Sequence, residues 1–229
     1  MKIVSLCSAL LCLLISCSTD SDFNASENKI NTIIKSKRNL PNPENTANPF
    51  DFKGESYYDE LTLYWQKNEY LNSIEEITQQ IRFLSLQLKG TSTNKSIIPF
   101  TDEIVESIMA DPDQSMILIV QNSTLSSASK ISLINFLQSL IEKRDLEFSI
   151  TYSYIVNYED TVISDSSFSE DDKETILTVT SISRYSLFSA AERKDRDWDK
   201  SGANKNTKPF FETNQVAVIS VIAMLSMLN

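Results

Sequence analysis

The sequence predicts a mainly α domain, a bundle of about six helices behind a disordered N-terminal tether. Two observations carry that expectation. Apolar residues recur every three or four positions through long stretches, the period of a helix face. Glycine occurs three times in 229 residues and neither Asn-Gly nor Asp-Gly occurs, so the turns that join strands into hairpins are scarce.

Taken in order, Tyr57, Leu61, Tyr64, Trp65 and Leu71 set a first helix over 55–71, with Gly54 just outside it. Ser73 then offers an N-cap with Glu76 three residues on, a capping box. Ile74, Ile77, Ile81, Leu84 and Leu88 form the stripe behind it, up to Lys89-Gly90. Thr101 opens a short helix with Ile104, Val105 and Ile108, closed by Asp111-Pro112. Ile131, Ile134, Leu137, Leu140 and Ile141 mark another between Ser129 and Arg144, whose basic last turn suits the macrodipole. Ser169, with Asp172 three on, opens the next; its stripe is Ile176, Val179, Ile182 and Leu187, closing around Glu192.

Thr213 to Leu228 is apolar nearly all round. Its 13 residues from Val216 to Leu228 are short of the ~20 a bilayer needs. A buried central helix of the bundle is the expectation, with a subunit interface or a membrane-inserting end as the other readings. Two stretches stay open. Met116–Val120 is an apolar run too short to decide. In 148–156, Phe148, Ile150, Tyr152 and Tyr154 alternate with small hydroxyl residues, the strand period, and read as a minor β element. Phe148, Tyr152, Ile155 and Glu159 fit a helix equally.

Composition removes whole classes of chemistry. Histidine is absent, which takes away His-dependent triads, the usual zinc ligands and the commonest general acid–base near neutral pH. Catalysis would have to use carboxylates, lysine, tyrosine or a serine activated without imidazole, and no cofactor motif stands out. Net charge is −10 without a clustered basic face, which argues against nucleic acid, whose affinity comes from phosphate neutralisation.

The three cysteines all fall in the first 17 residues, MKIVSLCSALLCLLISC. Lys2 precedes an apolar run from Ile3 to Ile15, the charged start and apolar middle of a secretory signal. Leu6 precedes Cys7 and Leu11 precedes Cys12, whereas the small Ser16 precedes Cys17. The segment resembles a bacterial type II, lipoprotein signal peptide, with Leu14, Ile15 and Ser16 in the lipobox and Cys17 as the lipid acceptor. An ordinary cleaved signal peptide and a retained anchor are the other readings.

Cleavage before Cys17 would leave 213 residues, take the charge from −10 to −11, and keep one cysteine, acylated and without a disulfide partner. The organisation expected is a signal peptide over 1–16, a lipidated cysteine and flexible tether over 17–54, and a helical domain over 55–229. Pro41, Pro43 and Pro49 block regular helix in the tether. About 35 such residues reach roughly 30–35 Å.

Asp20 and Asp22 lie just beyond the acceptor cysteine. In the lipoproteins this resembles, acidic residues there bear on sorting to the outer membrane, facing the periplasm or the cell surface; a merely soluble linker is the plainer reading.

Two groups of residues carry candidate chemistry. Asp195, Asp197 and Asp199 alternate like positions 1, 3 and 5 of a calcium loop, although Lys200 stands where Gly is needed and Asn206 where a bidentate Glu is needed. A solvated charged loop neutralised by Lys194, Arg196 and Lys200 is the alternative. Tyr57, Tyr58, Tyr64 and Trp65, together with Trp198, are aromatic enough to stack a sugar ring, yet at helical spacing they suit core and boundary positions. Asp59, Glu60, Glu75 and Glu76 read as solvated helix faces.

Asn45-Thr-Ala-Asn-Pro-Phe-Asp-Phe-Lys-Gly54 and Ser181-Ile-Ser-Arg-Tyr-Ser186 are similar to segments of helical, uncharacterised bacterial lipoproteins that share an Asn-Pro-aromatic-Asp-aromatic-x-Gly lead-in. Those often continue with His-Asn; here Tyr57-Tyr58 stand there, so any role of that histidine does not carry over. The leading expectation is a non-enzymatic lipoprotein, held in the membrane by acylated Cys17 and contacting another envelope protein or component. The runner-up is a carboxylate-dependent polysaccharide hydrolase or carbohydrate-binding accessory lipoprotein.

Overall fold

The computed structural model describes residues 40–68, 71–88, 101–201 and 212–225, with side chains left undescribed at 88, 196–201 and 213. All fall in the compact unit Arg38–Asn229. Among the described residues there are eight helices and no strand: α1 (Asp51–Lys67), α2 (Ile74–Leu88), α3 (Asp102–Ala110), α4 (Pro112–Gln121), α5 (Ser127–Lys143), α6 (Phe148–Ser164), α7 (Glu170–Ser201) and α8 (Thr213–Leu225).

The minor β expectation at 148–156 is corrected. Phe148, Thr151, Ile155, Glu159 and Val162 are the buried residues of α6, a helical stripe, and Ile150 points outward. The exposed hydroxyls fold back on their own helix: Ser153 donates to the Ser149 carbonyl (2.9 Å) and Thr161 to that of Asn157 (2.9 Å). Such local bonds let β-favouring residues sit in a helix whose other face is packed. Aromatic stacking does that packing. Phe136 of α5 lies 4.4 Å from Tyr158 and 5.6 Å from Tyr154, ring centroid to centroid, both nearly parallel.

Six helices become eight partly because Asp111 ends one and starts the next. Its N–H donates to Ser107 (3.1 Å), while its carboxylate accepts from Gln114 N–H (2.9 Å), with Pro112 at the first turn of α4. Met116 and Val120, too short a run to assign from sequence, are the buried residues of that helix. At α2, Ser73 Oγ accepts from Glu76 N–H (3.2 Å), but the Glu76 carboxylate closes on Asn72 N–H, one residue before the cap. Thr101 makes no side-chain cap to the α3 backbone.

The core is built around α7. From Ile176 to Leu187 it is buried on every side, and its serines and threonines let neighbours approach closely. α1 lies along it in the most extensive contact of the fold; α8, α6 and α5 pack on its other sides. α8 is buried from Val216 to Leu225, as expected of a central helix, and touches α2, α3 and α4 as well as α7. Among the described residues no helix is long and apolar enough to cross a membrane.

The tether boundary is also corrected. Residues 43–54 belong to the folded unit, because their asparagines are structural. Asn45 Oδ1 accepts from Ala47 N–H (3.1 Å) and Asn48 Oδ1 from Phe50 N–H (2.8 Å), the side-chain turns that asparagine favours. Residues 1–39, including the lipobox, Cys17 and the rest of the expected tether, lie outside the described residues.

Candidate functional site

The strongest concentration of polar chemistry is fully buried, where α6, α7 and the segment leading into α1 meet. Glu159 sits on the apolar stripe of α6 and Arg184 on α7, and both are 0% exposed. Arg184 Nε donates to both Glu159 oxygens (3.1 and 3.2 Å). Thr180 Oγ1 donates to Glu159 Oε1 at 2.7 Å.

The remaining bonds come from the lead-in segment. The Asn45 amide donates to Glu159 Oε2 (2.7 Å), and the Asn48 amide to Glu159 Oε1 (2.8 Å) and the Leu177 carbonyl (3.0 Å). Arg184 in turn donates to the Pro43 carbonyl and pairs with Asp51 at the start of α1. Thus the two motifs singled out in the sequence, 45–54 and 181–186, lie against each other.

Their contact continues down the α1–α7 seam. Ser181 Oγ donates to the Asp51 carbonyl (2.9 Å) and accepts from Gly54 N–H (3.2 Å). Tyr185 donates to Asp51 Oδ2 (3.2 Å). Burial pushes the Tyr185 hydroxyl well above the usual phenol range, and the Asp51 charge beside it pushes the same way. One turn on, Tyr57 is a core residue, its hydroxyl 3.2 Å from Ser186 Oγ and raised by burial. Every charge here has a partner of opposite sign or several donors, and neither Glu159 nor Arg184 has access to solvent. The chemistry of the cluster is cohesion: taking one partner from such a buried pair costs about 3–5 kcal/mol.

A second carboxylate ties helix starts together. Asp172 accepts from Ser126 N–H (3.3 Å) and Ser129 Oγ (2.8 Å) at the head of α5, while its own N–H donates to Ser169 Oγ (3.1 Å) at the head of α7. Burial opposes its ionisation, but the bonds from Ser126, Ser129 and Ser169 outweigh it and hold the carboxyl below its ordinary range.

Among the described residues, the aromatic candidates on α1 have partners within the fold. Tyr58 donates to Glu192 Oε2 at 2.6 Å, and its ring meets Tyr185 and Phe188. The Arg193 guanidinium lies 3.4 Å from the Trp65 ring centroid and covers that face, and the indole N–H is buried. These residues join α1 to α7, and the Trp65 face that Arg193 covers is closed to a sugar ring.

Asp195, Asp197 and Asp199 are in the last turns of α7, not in a loop. Both readings of this stretch expected a loop; the backbone there is helical. Alternate helical positions are splayed by about 200°, so a helix cannot gather positions 1, 3 and 5 around one ion. Among the described residues no group of acidic or thiol side chains is placed to hold a metal. Asp197, Asp199 and Trp198 have undescribed side chains. Asp59, Glu60 and Glu75 are on α1 and α2, outside the cluster, and Glu76 serves the α2 cap.

Two of the concavities lined by described residues bear on function. One, of about 130 Å³, is walled by Leu40, Phe148 and Leu187 and rimmed by Arg144, Lys194 and Asp195. The other is an open groove of about 470 Å³, where Asp113 of α4 faces Asn135, Gln138, Ser139 and Glu142 of α5.

Glu159, Arg184 and Asp172 were not among the sequence candidates. The available signal was a single charge interrupting an apolar stripe: Glu159 after Phe148, Tyr152 and Ile155, and Arg184 between Ile182 and Leu187. Compared with family models, curated proteins and solved structures, the chain gives no match.

Proposed function

We propose that this chain is a membrane-anchored bacterial lipoprotein whose helical domain makes non-enzymatic contacts with another component of the cell envelope, at the outer membrane. The observation that carries the reading is Ser16-Cys17 at the end of the Ile3–Ile15 apolar run. It is supported by the use of the buried polar clusters, in which carboxylate, guanidinium and amide groups are consumed in holding helices together. The absence of histidine points the same way. Acyl chains on Cys17, not an anionic-lipid-seeking surface, provide the attachment for a chain of net charge −10.

Cys17→Ser tests it. The variant is expected to lose labelled palmitate incorporation and to leave the membrane fraction; an unacylated wild-type chain that is nonetheless retained on membranes overturns the reading. Protease treatment of intact and lysed cells then separates a surface-facing from a periplasm-facing domain.

A second reading, a carboxylate-dependent hydrolase or carbohydrate-binding accessory lipoprotein, is favoured by one feature: Asp113 and Glu142 share an open groove with two amide side chains. Titration with envelope polysaccharide fragments against an Asp113→Asn, Glu142→Gln variant tests it. Equal, undetectable binding and turnover by both proteins removes this reading.

A further inference from the structure

We propose that Pro43–Gly54 is a clasp, a strap that releases from the α6–α7 core only when the whole domain unfolds. It is gripped at spaced points along its length. Tyr152 donates to the Glu44 carbonyl (2.9 Å), Arg184 holds the Pro43 carbonyl and Asp51, the Asn45 and Asn48 amides reach Glu159, and Ser181 takes Gly54 N–H. The partners are the reason it cannot peel. Undocking Asn45 and Asn48 takes two amide donors from the Glu159 carboxylate, and undocking Pro43 and Asp51 takes two acceptors from the Arg184 guanidinium. Releasing either end alone leaves these groups, 0% exposed in the closed fold, short of partners under the end still docked. A buried group left without its bonds is costly, so partial opening is disfavoured relative to remaining closed.

The strap also carries its own turns, with Asn48 N–H donating to the Asn45 carbonyl (3.0 Å) and Asp51 N–H to that of Asn48 (3.1 Å). These bonds satisfy part of its own backbone where it lies on the core. Its role rests on the lipidation reading: tension arriving from an acylated Cys17 reaches the described fold at this clasp and passes into α6 and α7 before it reaches α1 beyond Gly54.

Native-state hydrogen exchange on the full chain in low urea tests the clasp without any substitution. The amides of Asn48, Phe50, Asp51 and Gly54 are expected to be protected within about threefold of those at 181–185 in α7, with the same urea dependence. Protection about a hundredfold weaker, insensitive to urea, would mean a strap that opens by itself and would overturn the proposal.

Stretching the unacylated chain between Cys17 and a C-terminal handle gives the second readout. The wild type should unfold its strap and helices in one step. Asn45→Ala with Asn48→Ala should add an early, separate extension of about 40 Å, the length of some 12 residues. That early extension in the wild type would overturn the clasp. Failure of Cys17 acylation in cells would remove the tension and leave both readouts unchanged.

Discussion

Gly54→Ala turns the close approach of α1 and α7 into a measurable sign. By helix propensity alone, alanine within α1 should stabilise by about 1 kcal/mol. The seam reverses this. A Cβ on residue 54 would lie 2.2 Å from Ser181 Oγ, 2.5 Å from Tyr185 Cδ2 and 2.7 Å from the Ser181 carbonyl carbon. The first two neighbours are side-chain atoms, but the third is backbone, so the helices themselves must part.

Overpacking of this kind costs about 1–3 kcal/mol. Parting also stretches the Gly54–Ser181 and Ser181–Asp51 hydrogen bonds, each contributing about 0.5–1.5 kcal/mol. Net of propensity, the loss should be about 3 kcal/mol. In urea unfolding with a slope of about 2 kcal/mol/M, the midpoint should fall by about 1.5 M at unchanged slope. An unchanged or raised midpoint would refute the reasoning, because propensity would then have won. Adding Ser181→Ala removes the 2.2 Å contact and leaves the other two, so it should restore only part of the loss.

Glu159→Gln should cost about 3–5 kcal/mol in the same assay, since it takes the charge from Arg184's buried partner and turns an amide N–H toward Asn45 or Asn48. Asp172, with its carboxyl held below the ordinary range, contributes stability that is present above about pH 4 and lost as pH falls through the depressed value. The melting temperature of Asp172→Ala should therefore lie below wild type at neutral pH and converge on it in acid. Tyr158, pushed up to about 12 chiefly by burial, works in the opposite direction. Its contribution is present below pH ~10 and lost as pH rises toward 12, so Tyr158→Phe should remove one of several late-titrating groups from the tyrosinate absorbance curve and leave those of Tyr57 and Tyr185.

What the sequence made legible was the pattern of apolar residues, striped or continuous. The α2 stripe from Ile74, the α5 stripe from Ile131 to Ile141 and the all-round apolarity of 216–225 led directly to helices. The strand-like alternation at 148–156 misled because hydroxyl residues that bond back to their own helix look, in sequence, like the polar face of a sheet. The Asn- and Pro-rich stretch misled for a related reason. Its composition is that of a linker, and only its side-chain partners 111 to 141 residues away make it part of the fold. Candidate sites were least legible. Aromatics and alternating aspartates drew attention by type, whereas the cluster that organises the core shows in sequence as two isolated charges, and their pairing depends on how α6 crosses α7.

The burial of α8 bears on the order of events during synthesis. α2, α3, α4 and α7 all pack against it, so each of the four keeps part of its apolar surface uncovered until residues 213–225 are in place. The core is therefore complete only once α8 is in place, and a chain cut before Thr213 should expose apolar surface on all four helices and be prone to aggregate.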